Sequence, residues 1–135
     1  IYKCPFSPLT MGRQDQIIAE RLRKLKELRD QGINPYPNKY DVKHTSKQLQ
    51  KKYKSLKPEK HSKDIVKLAG RVMTLRELGR ISFATLQDGY GKIQIVLQEK
   101  ETPKKAHDLL RKYIDSGDFI GVEGQVFRTK RGELS

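Results

Sequence analysis

At 135 residues, 35% of them apolar and 33% charged, the chain has material for one modest hydrophobic core, either a single domain or a small domain with an appendage. It offers no 18-residue apolar run to cross a membrane, one cysteine where a disulfide needs two, and no metal-ligand spacing, so the expected setting is a reducing cytoplasm. The formal charge of +13 calls for a polyanionic partner, and it is uneven: residues 1–64 carry 16 Lys/Arg against 7 Asp/Glu, residues 65–135 carry 13 against 9.

Residues 1–14 read as a tail. The first ten, IYKCPFSPLT, hold two prolines and lack the continuous apolar centre of a secretory signal. Met11 is a candidate start, which makes residues 1–10 an expression or processing remnant. Helical periodicity opens near Asp15. Ile18, Leu22, Leu25 and Leu28 fall on one stripe, with Arg21, Arg23, Lys24, Lys26 and Arg29 around the rest. Gly32 is placed to end this helix, and Pro35 and Pro37 prevent it from resuming. Thr45 and Gln48 have the spacing of a capping box, and Leu49, Tyr53 and Leu56 give the second helix its apolar stripe. Seven lysines between Lys47 and Lys63 make this segment a positive apron. Residues 15–64 are therefore expected to form a basic helical extension, with Arg21, Lys24 and Arg29 as candidates for sequence-independent docking on a nucleic-acid backbone.

From Ile65 the period changes. Residues 65–75 read as a strand with an interruption near Gly79, residues 81–87 as a second, and residues 92–98 as a third after a turn at Asp88-Gly89-Tyr90-Gly91. A helix follows, capped by Thr102, with Pro103 in its first position. Ala106, Leu109, Leu110, Tyr113 and Ile114 form its buried face, and Gly117 closes it. A fourth strand is expected over about Phe119–Arg128, a turn at Lys130-Arg131-Gly132, and the beginning of a fifth strand at Glu133. Three strands, a helix and two strands is the order of an OB-fold, a five-stranded Greek-key barrel that binds oligonucleotides. The domain is set at residues 65–135, with its fifth strand cut short at Ser135.

Side-chain parity points to one face of this barrel. Ile93, Ile95 and Leu97 alternate with Gln94 and Gln98, so Gln94 faces away from the core. Ala84 and Leu86 suit a narrow interior, which puts Phe83 with Thr85 and Gln87 on the opposite face. An exposed ring can stack a splayed base, an amide can read a Watson–Crick edge, and a guanidinium can hold phosphate. Parity alone leaves two alternatives open: a one-residue slip would turn Phe83 into the core, and Gln94 would serve equally as a solvated strand amide.

Other signals carry less. The G-x-G at Gly89–Gly91 lacks the third glycine and following helix of a dinucleotide site. His44, His61 and His107 lie far apart and read as solvated surface, and Cys4 has no nucleophile context. The leucine stripe of the first helix needs something to pack on, but it has no Trp or Phe anchor for a membrane surface.

The segment GRVMTLRELGRISFATLQDGYGKIQIVLQ (70–98) resembles the anticodon-binding barrel of class IIb aminoacyl-tRNA synthetases, the lysyl, aspartyl and asparaginyl enzymes. LRKLKELRDQGINPYP (22–37) and the Thr129-Lys130-Arg131-Gly132-Glu133-Leu134-Ser135 element look like the lysyl-tRNA synthetase branch, and the likeness runs over about residues 15–135. It implies that Phe83 stacks on the central anticodon base, that Gln94 reads this base as a uridine, that Arg76 contacts the anticodon loop, and that Glu133 contacts an anticodon base. It also implies a parent that ligates lysine to its tRNA with ATP and Mg in a catalytic domain beyond Ser135, that is usually homodimeric, and whose catalytic residues lie outside this chain. Three readings compete with a lysine anticodon module: a nonspecific single-strand binder on the same fold, an aspartyl- or asparaginyl-type domain, and a protein-interaction module in which RNA affinity is incidental.

Overall fold

A computed structural model describes residues 12–135; the readings placed on residues 1–11 and on Cys4 lie outside the described residues. The chain divides into two compact units, one ending at Asn38 and one spanning Lys39–Ser135.

The first unit contains helix α1 (Arg13–Asp30), which buries none of its residues. Arg23 bridges Glu20 at 2.6 Å and also pairs with Glu27, one helical turn either way. The C-terminus is a Schellman motif: the Gly32 N–H donates to the Arg29 carbonyl at 2.9 Å and the Ile33 N–H to the Leu28 carbonyl at 3.0 Å. Gly32 adopts φ +76°, the left-handed conformation this closure requires.

The second unit is a strongly bent antiparallel sheet with α2 (Ser46–Lys52) and α3 (Lys104–Tyr113). Its strands are β1 (His61–Leu78), β2 (Ile81–Gln87), β3 (Lys92–Gln98) and β4 (Phe119–Phe127), in the order β3-β2-β1-β4. β1 is longer at both ends than the 65–75 expected from sequence because it serves two partners. Its first part pairs with β4, from His61↔Phe127 to Arg71↔Phe119, and its second with β2, from Arg71↔Gln87 to Leu78↔Ile81. The change of partner falls at Gly70–Arg71, followed by a bulge between Val72 and Thr74. Val66, Leu68, Val72, Ala84, Leu86, Ile93 and Val126 form the core inside this bend, together with Leu49 and Tyr53 from the second helical segment. Where a fifth strand was expected, Leu134 forms a single bridge to Arg128 and Phe127 and Ser135 exchange backbone hydrogen bonds of 2.9 and 2.8 Å; Leu134 is itself in the core.

The α3 region departs from expectation in three ways. Pro103, not Thr102, is the N-cap and makes no side-chain cap bond; the Thr102 hydroxyl instead accepts the Gln98 N–H at 3.2 Å, closing the loop after β3. The helix ends at Tyr113, because Ile114 is already extended, and Gly117 (φ +97°) turns the chain into β4. Finally, Ala106 is exposed and His107 is 4% exposed, hydrogen-bonded to the buried Ser82 hydroxyl at 2.9 Å, so this histidine is a satisfied interior group and not solvated surface.

Gly70 is needed at the strand's change of partner. A Cβ there would sit 2.7 Å from the Gln87 carbonyl oxygen and 3.0 Å from its carbon, both backbone atoms that cannot swing aside. Gly70→Ala is expected to cost about 1–3 kcal/mol in urea denaturation. Gly124→Ala, where a Cβ meets nothing within 4 Å, is expected to stay within about 0.5 kcal/mol of the parent or to gain slightly.

Candidate nucleic-acid interface

The strand registers assemble two cross-strand rows. Arg76 on β1 stands opposite Phe83 on β2, which stands opposite Val96 on β3. One pair along, Thr74 faces Thr85, which faces Gln94. Directly opposed residues share a face, and the Thr74–Thr85 hydroxyl bond of 3.0 Å reports that shared face directly. On β2, Ser82, Ala84 and Leu86 are buried while Phe83 and Thr85 are half-buried between them. The register is therefore the one in which Phe83 and Gln94 lie outside the core, side by side with Arg76. The slipped alternative is absent from the structure. Arg76 is exposed, and its guanidinium has no ion-pair partner among the described residues.

Beside this face lies a cavity of about 390 Å³, lined by Gln50, Lys54, Thr85, Lys92, Ile93, Gln94, Arg128, Glu133 and Leu134. Gln94 and Glu133, widely separated in sequence, thus meet at one site. Ser135, held by its backbone exchange with Phe127, donates its hydroxyl to Gln94 Oε1 at 3.0 Å, which leaves the two Nε2–H donors for another acceptor. Glu133 is exposed; its own N–H is taken by the Thr129 hydroxyl at 3.0 Å, which shapes the turn that presents it. Arg128 spans the floor. Its Nε donates to the Leu56 carbonyl at 2.5 Å, Nη1 to Gly132 at 2.6 Å, and Nη2 to Tyr53 at 3.0 Å.

One wall of the cavity is α2 and the residues after it, and this helix is fastened to the sheet on every side. The capping box read from sequence is present, with Thr45 and Gln48 bonded reciprocally. Asp88 then accepts both the Ser46 N–H (2.6 Å) and the Ser46 hydroxyl (2.7 Å), while its Oδ1 also takes the N–H groups of Tyr90 and Gly91. The Asp88 turn therefore shapes the β2–β3 hairpin and anchors α2 together. Burial raises its pKa, but the four hydrogen bonds outweigh that and hold it below the ordinary carboxylate value. Further along, the Gln50 amide donates to the Lys92 carbonyl at 2.6 Å, and Tyr53 Oη donates to Asp64 at 2.5 Å. With Lys52, that phenol lowers the Asp64 pKa.

Arg21, Lys24 and Arg29 belong to α1 in the first unit. Sequence reasoning missed Gln50, Lys54, Lys92, Arg128 and Ser135. The lysines were read only as part of a general charge or a strand's polar face. Nothing local marks Arg128, whose partners Tyr53 and Leu56 are more than 70 residues away. Asp88 alone carried a signal, as the leading residue of an Asp-Gly turn.

The family model described as the tRNA-anticodon OB-fold nucleic acid binding domain matches residues 66–135. Among curated proteins, the chain is 42% identical to the lysine–tRNA ligase of Dehalococcoides mccartyi over 123 residues, 90% of this chain and 24% of that protein. It is 36% identical to the lysine–tRNA ligase of Thermosipho melanesiensis over 117 residues, 86% of this chain and 23% of the relative. The chloroplastic/mitochondrial lysine–tRNA ligase of Arabidopsis thaliana is 38% identical over 125 residues, 90% of this chain and 21% of its own length. The chain thus spans about a quarter of the length of these relatives.

The Asp88 anchor has a pH signature. A carboxylate whose folded pKa is depressed contributes its stability in full above its unfolded value of about 3.9 and loses it as pH falls through the folded value. Asp88→Asn, which removes the charge and turns an acceptor into a donor facing Ser46, is expected to cost about 1–3 kcal/mol near neutrality. In denaturant titrations at a series of pH values, the gap from the parent should narrow below about pH 4.

Proposed function

This chain belongs to the tRNA-anticodon family of OB-fold nucleic acid binding domains, and on that premise we propose that it reads the anticodon loop of a lysine tRNA, with Phe83 and Gln94 on the central base. The observation that carries the proposal is the shared face: an aromatic ring, an amide with free donors and a guanidinium lie in adjacent cross-strand pairs outside the core. Phe83 supplies a stacking surface for a base turned out of the loop. Gln94 supplies N–H donors, and the O4 oxygen of uracil accepts them, whereas cytosine presents an amino donor at that position. Glu133 adds an acceptor for a base N–H from the far side of the cavity, and Arg76 adds a cation for the loop backbone. Arg21, Lys24 and Arg29 are proposed to add a salt-sensitive attraction to the tRNA backbone.

The relatives named above are lysine–tRNA ligases, and the parent proposed here is an enzyme of that kind, usually homodimeric and resident in the cytoplasm, using ATP and Mg to join lysine to its tRNA. In that parent the present domain supplies binding energy and discrimination, while the chemistry belongs to residues outside this chain. The chain alone is therefore expected not to activate lysine. No helix among the described residues is long and apolar enough to cross a membrane.

Fluorescence anisotropy with a lysine-tRNA anticodon stem-loop tests the reading, using a control loop whose central uridine is cytidine. The parent chain is expected to prefer uridine, and Phe83→Ala to lose about 1–3 kcal/mol of binding together with that preference. Equal binding of both loops by both proteins, with affinity collapsing at high salt, would leave only nonspecific charge attraction.

A further inference from the structure

The cavity beside Gln94 is charged in a way that base reading does not use. Three cations line it, Lys54, Lys92 and Arg128, against the single carboxylate of Glu133. None of the three cations has an ion-pair partner among the described residues. Lys54 and Lys92 are exposed, and Arg128 spends its donors on the neutral carbonyls of Tyr53, Leu56 and Gly132, so its charge is solvated by dipoles and cancelled by none. The lysines that do pair in this unit lie elsewhere: Lys52 with Asp64 at 3.1 Å and Lys67 with Glu123 at 4.0 Å.

The backbones of Lys54 and Lys92 both take part in contacts that tie the segment around α2 to the rest of the unit. Gln50 donates across the seam to the Lys92 carbonyl at 2.6 Å, joining α2 to β3, and the Lys54 carbonyl lies 3.5 Å from Arg128 Nη2 beside the stronger bond to Tyr53. Flexible side chains on a fixed seam, at the rim of a concave surface carrying net positive charge, suit a compact anion at low ordering cost. A volume of about 390 Å³ falls in the range of about 300–1,000 Å³ typical of small-molecule sites, enough for a base and its sugar while the phosphate stays at the mouth.

We propose that Lys54 and Lys92 form a phosphodiester-binding subsite at the α2–β3 seam, which grips the RNA backbone next to the base that Gln94 reads. The inference rests on the reading of this face as an RNA site and adds a partner that the matched segment lacks: Lys54 and Gln50 precede residue 66, where the family match begins. The segment ahead of the barrel, α2 with the turn after it that carries Lys54, is then part of the binding surface. Its tethering by Asp88, Gln50 and Arg128 keeps the lysine pair in register with the base-reading strands. Because phosphate carries no sequence information, the subsite adds affinity and orientation without altering which base is preferred.

The test uses the whole chain and the anticodon stem-loop, unmodified or with one neutral methylphosphonate on either side of the central base. Parent, Lys54→Gln/Lys92→Gln, and a control Lys104→Gln/Lys105→Gln at the exposed start of α3 are compared across salt concentrations. The double variant is expected to weaken uridine and cytidine loops by the same factor, leaving their ratio unchanged. It is also expected to lower the log–log salt slope by about 0.7–1. One of the two methylphosphonates should weaken the parent by a similar factor and leave the double variant unaffected. The proposal is overturned if the double variant responds to both neutral linkages as the parent does, or if the control pair lowers the slope equally. A parent that fails to discriminate uridine from cytidine contradicts the role of Gln94 instead; the methylphosphonate comparison still decides the subsite.

Discussion

The Arg128 guanidinium is the constraint on which the candidate site depends. A helix of seven residues is too short to hold itself and needs anchoring from outside, and a cation just past its C-terminal end complements the helix dipole. Arg128, the residue after β4, sits at that end, bonding the carbonyls of Tyr53 and Leu56 in the segment that follows α2, and with its remaining arm it holds Gly132 in the turn ahead of Glu133. One side chain therefore joins two parts of the cavity lining: the segment after α2 that carries Lys54, and the turn presenting Glu133. Leu134, in the core just beyond that turn, and Ser135, bonded to Gln94, fix the last of these from the other side. A rigid, many-donor cation suits this task better than a lysine, whose ammonium could not span the same carbonyls in one plane.

The sheet supplies the second constraint. β1 must bend far enough to pair β4 with one half and β2 with the other, and the close backbone approach at Gly70 with the bulge beyond it makes that bend. The bulge also resets the parity of β1, so that Thr74 and Arg76 come onto the face shared by Thr85 and Phe83. The candidate face is thus a consequence of how the barrel curves. Core packing inside the bend and the row of Arg76, Phe83, Thr85 and Gln94 outside it are two sides of one register.

Much of this was legible in the sequence. The Thr45–Gln48 capping box, the Gly32 helix end, the Asp88 turn and the alternation in 81–87 and 92–98 are local signals, and each is found where its residues placed it. Parity alone left Phe83 undecided between core and surface, and only the pairing with Arg76 and Val96 resolves it. The α3 boundaries were less legible because Thr102 and Gly117 are good cap residues whose loops use them otherwise: the hydroxyl closes a turn with Gln98, and the glycine turns the chain toward β4. His107 read as surface because its buried partner, Ser82, is 25 residues away. Arg128, Gln50 and Lys92 share that cause. Their roles are set by contacts across the fold, which no local pattern encodes.

The central claim is that the face carrying Arg76, Phe83, Thr85 and Gln94 touches the bases of an anticodon loop. Titrating an isotope-labelled sample of the chain with the lysine anticodon stem-loop, and following side-chain as well as backbone signals by NMR, tests it most directly. The account predicts that the Phe83 ring, the Gln94 side-chain amide and the Thr85 methyl shift most, with ring-to-base contacts between Phe83 and the central uridine. Shifts confined to α1 and the lysines after Thr45, with Phe83 and Gln94 unmoved at saturation, would contradict it.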